Sequence, residues 1–185
     1  MLEESDIAVK RHFYLEETIL ILLLTLSLVG VWVTDHSPID GYGYWMIMVF
    51  VYAFFAIMIG WLQTKHQLSD LKVIMREQSI HWFTSLLMVE GIFSFQTTGH
   101  LTPEDAGLVI MMVLAQSTIL DGLRVGWRFS VVGIFLAVSA IIATYTSHFF
   151  WIELIIALFI VIGTILGEIW ISKQAYAKIS NQNLS

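Results

Sequence analysis

The chain has 185 residues, of which 57% are apolar and 13% charged, and its formal net charge is −6. A soluble domain of this length would carry charge along one face of each helix, whereas here runs of about twenty residues carry almost none, the length that crosses a hydrocarbon core. The composition therefore reads as an integral membrane protein, and the lack of cysteine excludes disulfides, thiolate metal sites, thiol nucleophiles and covalently attached haem.

From the start of the chain, residues 1–16 are polar and include Glu3, Glu4, Asp6, Lys10 and Arg11. They lack the basic start, short apolar core and small-residue cleavage site of a secretory signal, so the first apolar run is expected to stay as a helix. Apolar runs near 17–34, 43–62, 80–97, 104–122, 128–146 and 150–171 predict an all-α, polytopic bundle of six spans arranged as three hairpins. The organisation expected is an N-terminal segment (1–16), a transmembrane domain (17–172) and a polar tail (173–185). All nine basic residues (Lys10, Arg11, Lys65, Lys72, Arg76, Arg124, Arg128, Lys173, Lys178) fall in the N-terminus, the second and fourth connections, and the C-terminus. Under the positive-inside rule both termini are then cytoplasmic, in a multi-pass protein of the inner (cytoplasmic) membrane. The seven tryptophans each fall near a span end, where an indole keeps its N–H among headgroups.

The outer turns are short. The first carries His36-Ser37-Pro38-Ile39-Asp40-Gly41, the second His100-Leu101-Thr102-Pro103-Glu104-Asp105, and the third His148. Thr102-Pro103-Glu104-Asp105 reads as a helix start, with a threonine cap, proline at the first helical position and acids at the positive helix end. The even-numbered spans end alike, as Ile59-Gly60-Trp61, Leu120-Asp121-Gly122 and Leu166-Gly167-Glu168, which is either an internal repeat or a chance match of common membrane residues.

Between the second and third runs, Leu68, Leu71 and Met75 recur at helical spacing across 63–80, with Asp70, Lys72, Arg76 and Glu77 on other faces. That pattern predicts an amphipathic helix, lying on the membrane surface or running unbroken into the third span, and serving headgroup contact or partner binding. In the fifth run Gly126, Ser130, Gly133, Ala137, Ala140 and Thr144 form a small-residue stripe, and Gly163 and Gly167 form a GxxxG pair in the sixth. Both patterns let backbones approach closely, within one subunit or between subunits.

Among residues that carry chemistry, Glu90 is placed near the middle of the third span, with Ser94 and Thr97 following at i+4 and i+7. An intramembrane acid is a candidate functional group, and no cation in the sequence sits at its depth. It reads either as a proton- or cation-binding carboxylate lining a polar path, or as a neutral carboxyl that ties two helices together. Gln116, on the fourth span, lies nearer the cytoplasm. Asp121, Arg124, Arg128 and Glu168 form a second set at the cytoplasmic ends, an interfacial ion-pair cluster or a gate, while Glu153 reads as interfacial. His36, His100 and His148 share the outer face, as weak candidates for a metal or pH site or as three unrelated loop histidines. His66 and His81 do not form the facing pair that a b-type haem needs.

No HExxH, GxSxG, P-loop or GxGxxG pattern occurs, so no catalytic residue or cofactor is expected. Nucleic-acid binding has no support, because topology accounts for the basic residues. Two functions remain ahead of a membrane enzyme. One is a small channel or transporter with Glu90 in its polar path. The other is a binding or assembly subunit that docks a partner at its cytoplasmic face through 63–80 and 121–128. The partners implied are the bilayer and a second copy or another membrane protein. The two readings separate on one feature: a continuous polar cavity reaching Glu90 favours transport, and a tightly packed core favours docking.

Overall fold

The computed structural model describes residues 2–63, 68–145 and 150–182, with side chains described for 15, 17–61, 71–145, 150–167 and 170. Six helices are present among them: α1 (Leu2–His36), α2 (Pro38–Gln63), α3 (Leu68–Thr97), α4 (Pro103–Val125), α5 (Trp127–Ala143) and α6 (Phe150–Gln182). The chain is thus an all-α bundle, as its periodicity predicts. Four stretches are long and apolar enough to cross a membrane: Glu17–His36, Pro38–Trp61, Pro103–Val125 and Phe150–Gly167. Helix α5 is apolar too, at 17 residues, and α3 mixes its apolar run with polar residues. The amphipathic stretch before the third apolar run is not a separate surface helix. It runs unbroken into α3, because nothing between Leu68 and Thr97 interrupts helical hydrogen bonding.

Local chemistry sets the joints. Thr102, at φ −71° and ψ 159°, caps α4 by accepting the Asp105 N–H at 3.1 Å, and Pro103 follows where its missing N–H costs nothing. Ser37 alone separates α1 from α2. Gly126 alone separates α4 from α5, at φ 136°, a conformation that a Cβ would strain. Its N–H donates to the Gly122 carbonyl at 2.9 Å and its own carbonyl accepts the Phe129 N–H at 2.9 Å, so the chain reverses with its backbone still bonded.

Neighbouring helices run antiparallel. Ser27 meets Tyr52 and Thr34 meets Trp45 across α1 and α2; Tyr42 meets Glu90 across α2 and α3; Gln78 meets Asp121 across α3 and α4. The end of the bundle bearing Ser37 and the Thr98–Thr102 turn is called upper below, and the end bearing Gly126 lower. Trp45, Met48, Tyr52, Ile110, Met111, Leu114, Phe135 and Leu136 fill the interior at no more than 2% exposure. Close approach needs glycine at two points besides those where α4 packs on α5: a Cβ on Gly30 would lie 2.6 Å from the Trp45 ring, and one on Gly107 2.8 Å from Thr34. Helix α6 lies at the edge, touching α1 and, less, α5.

Candidate functional site

Acidic side chains are buried inside the bundle in three places among the described residues. The first lies where α3 and α4 cross. Gln78, Trp82 and Ser85 share one face of α3 by their four- and three-residue spacing, and Ser117 and Asp121 share one face of α4. Asp121 is only 1% exposed. Its two oxygens accept from Gln78 Nε2 at 2.6 Å and Trp82 Nε1 at 3.2 Å, and the same indole N–H also reaches Gln78 Oε1 at 3.0 Å. One turn along, the Ser85 and Ser117 hydroxyls share a hydrogen bond of 2.7 Å, and His81 Nε2 lies 3.0 Å from the Ser117 carbonyl. The fully buried Tyr52 stacks on Trp82 at 6.0 Å and shares a 2.7 Å hydrogen bond with Ser27 of α1. Phe129 of α5 sets its edge against both rings. Five helices therefore converge on one aromatic and carboxylate cluster.

The second place is about halfway along α1, level with the start of α5. Glu17, 7% exposed, accepts from Thr164 Oγ1 at 3.0 Å and pairs with Arg128 Nε at 3.4 Å, joining α1, α5 and α6. Arg128 also lies over the Trp127 ring at 5.1 Å. The third is near the upper end of α5 and α6, where Ser139 donates to Glu153 Oε2. Glu153 is fully buried against α5, and its Oε1 has no hydrogen-bond partner among the described residues.

The residues singled out in the sequence are distributed differently. Glu90 is exposed on the outside of α3, where Tyr42 Oη donates to it at 2.8 Å and Tyr42 stacks on Phe93 at 3.7 Å. Tyr42 lies in the first turns of α2, so the Tyr42–Glu90 bond ties α3 to the upper half of α2. Ser94 and Thr97 are exposed on the same helix, and Thr97 Oγ1 bonds its own backbone at Ser94 O, 3.0 Å away. Gln116 is exposed on α4, and no hydrogen bond joins it to Glu90 among the described residues.

Asp121 and Arg128 belong to different clusters, the first held by Gln78 and Trp82 and the second paired with Glu17. Arg124 is exposed, and the Glu168 side chain lies outside the described residues, as does His148. His36 Nδ1 is 3.2 Å from Asp35 Oδ2, and His100 Nδ1 is 2.9 Å from Thr98 Oγ1. Among the described residues no group of three acids and histidines is placed to hold a metal.

Three cavities add to this picture. One of about 30 Å³, room for a single water, lies against Leu20, Ile59, Val125 and Phe129. One of about 370 Å³ opens between the upper ends of α1 and α6, and one of about 410 Å³ lies along α4 and α5 near Asp105 and Tyr145. Glu90 lines none of the three. Fold and sites together define a multi-pass helical membrane protein with acidic groups buried inside its bundle. Set against protein-family models, curated proteins and solved structures, the chain matches none of them.

Proposed function

We propose that this protein is a membrane-embedded binding subunit, which docks a partner protein instead of passing a solute through its own middle. In this reading all six helices cross the inner membrane, both termini are cytoplasmic, and the lower end of the bundle is its cytoplasmic face. The observation that carries it is the interior among the described residues, where large side chains from Trp45 to Leu136 pack at no more than 2% exposure, while Glu90 lies outside. The docking face is the lower end. There α3 presents Val73, Met75 and Ile80 at 48%, 47% and 63% exposure, beside Lys72 and Arg76. Leu123, 77% exposed, and Trp127 add an apolar corner next to the exposed Arg124.

A second reading, transport of a proton or cation by this chain, is favoured by the buried acids Asp121, Glu153 and Glu17 in helices of membrane length. One pair of measurements separates the two. Purified protein in proteoliposomes is expected to show no proton or cation flux, and photo-crosslinkers at Met75 and Leu123 in native membranes should give a discrete heavier adduct that one at Phe159 does not. Flux that Glu90→Gln or Asp121→Asn abolishes would establish transport and remove the docking reading. An adduct made only of this chain would make the partner a second copy.

A further inference from the structure

We propose that the cleft between the upper ends of α1 and α6 binds an organic ammonium cation, of the quaternary or methylated class. Its walls are Trp32, Asp35 and His36 from the last turn of α1, and Phe150 and Trp151 from the first turn of α6. At about 370 Å³ it has the size of a small-molecule site.

Its chemistry is one-sided. Aromatic faces carry negative electrostatic potential, and a ring of them around a carboxylate is how proteins hold trimethylammonium groups, which cannot donate hydrogen bonds. The Asp35 side chain is 8% exposed, so its charge is felt through protein more than through water. His36 stacks on Trp32 at 5.1 Å and lies against Asp35, which fixes the last turn of α1 as one rigid wall. That turn is also the C-terminal end of a helix, where the backbone carbonyls favour positive charge. No lysine or arginine lies between Arg11 and Lys65 or between Arg128 and Lys173.

A metal fits less well, since it would need more ligands than one carboxylate and one imidazole. Trp32 and Trp151 both line the cleft, at 46% and 71% exposure.

The cation has two possible sources, the choline headgroup of a lipid and a free amine, and one experiment sorts them. The full chain is placed in phosphatidylglycerol nanodiscs and, separately, in phosphatidylcholine nanodiscs, and each is titrated calorimetrically with choline and with its neutral isostere 3,3-dimethylbutanol. In phosphatidylglycerol discs choline should bind at least about 10-fold tighter than the isostere, and Asp35→Asn and Trp151→Leu should each weaken it by about 10-fold. Trp151→Leu keeps the test valid if Asp35→Asn does not fold, because that ring contributes little to the core. Loss of choline binding in phosphatidylcholine discs assigns the site to the lipid headgroup, and undiminished binding assigns it to a free cation. Equal affinity for choline and the isostere, no choline binding in phosphatidylglycerol discs, or binding that both variants leave intact would overturn the proposal.

Discussion

Two seams of the bundle look alike in sequence and are unlike in space. Helix α5 carries small residues from Gly126 to Thr144, and α6 carries Gly163 and Gly167. On α5 the pattern is a tight contact. A Cβ on Gly133 would lie 2.7 Å from the Ala115 carbonyl oxygen and the Ile119 nitrogen, one on Gly122 of α4 would run into Ser130, and Ser130 Oγ donates to the Ile119 carbonyl at 3.1 Å. On α6 a Cβ at Gly163 or Gly167 would meet nothing within 4 Å, and Leu158, Phe159 and Leu166 around them are 59%, 69% and 60% exposed. The difference comes from the connections. A single residue joins α4 to α5, so the two helices must lie side by side, whereas α6 follows a longer connection and is free to lie at the edge. Apolar faces gain nothing from one another in lipid, so helices are held by close backbone approach or by polar bonds. The α4–α5 seam uses the first device. Helix α6 uses the second, with Glu153 bonded to Ser139 at one end and Thr164 to Glu17 at the other.

The comparison breaks most sharply at Gly133. Gly133→Leu forces two backbones apart, and overpacking of this kind costs about 3 kcal/mol or more when the neighbour is main chain and cannot turn aside. In detergent the thermal midpoint should fall by many degrees, while Val131→Leu on the same helix should leave it nearly unchanged. Equal midpoints for the two variants would show that the seam yields more easily than its distances imply.

Next in size is Asp121→Leu. It removes the acceptor for Gln78 and Trp82 in a buried site, and an orphaned buried donor costs about 1–3 kcal/mol. Asp121→Asn keeps one acceptor and should recover much of that loss in the same melting assay. A silent Asp121→Leu would mean that water reaches the cluster and satisfies both donors.

What the sequence made legible, and what it did not, follows from how each feature is encoded. Helices and the Thr102 cap are written in contiguous residues, and the apolar runs found by hydropathy each became a helix. The run 80–97 does not show that the helix begins at Leu68, nor that Glu90 faces outward while Gln78 and Trp82 face the core. The Asp121 cluster left a partial signal, since Gln78, Trp82 and Ser85 and then Ser117 and Asp121 each mark a polar face. Which faces meet is a tertiary fact that spacing cannot supply. The Glu17 site joins residues 111 and 147 positions apart, and no local pattern encodes such a pairing.

A smaller effect is expected at the joint itself. Gly126 holds φ 136°, and a non-glycine residue in such a region costs about 1–3 kcal/mol of backbone strain. Gly126→Ala should therefore lower the melting midpoint by less than Gly133→Leu but measurably, and inserting two glycines after Gly126 should relieve the strain of the substitution. If the insertion alone destabilises as much as Gly133→Leu, the one-residue joint is what keeps α4 and α5 in register, and the glycines along the seam are secondary.

The smallest effects should come from α6, and they test the other half of the comparison. Thr164→Val removes one hydrogen bond to Glu17, worth about 1 kcal/mol, and leaves the Arg128 pair to hold that carboxylate. Gly163→Leu should cost nothing in an isolated subunit, because nothing lies within 4 Å of the new Cβ. It should even stabilise slightly, since leucine favours helix over glycine by about 0.8 kcal/mol. That sign gives the measurement its use. In monomeric detergent preparations the midpoint should hold or rise. Should Gly163→Leu lower it there, some part of this subunit covers that face. Should the loss appear only in native membranes, as a smaller crosslinked species, the face is covered by another chain, and α6 is then an intermolecular counterpart of the α4–α5 seam.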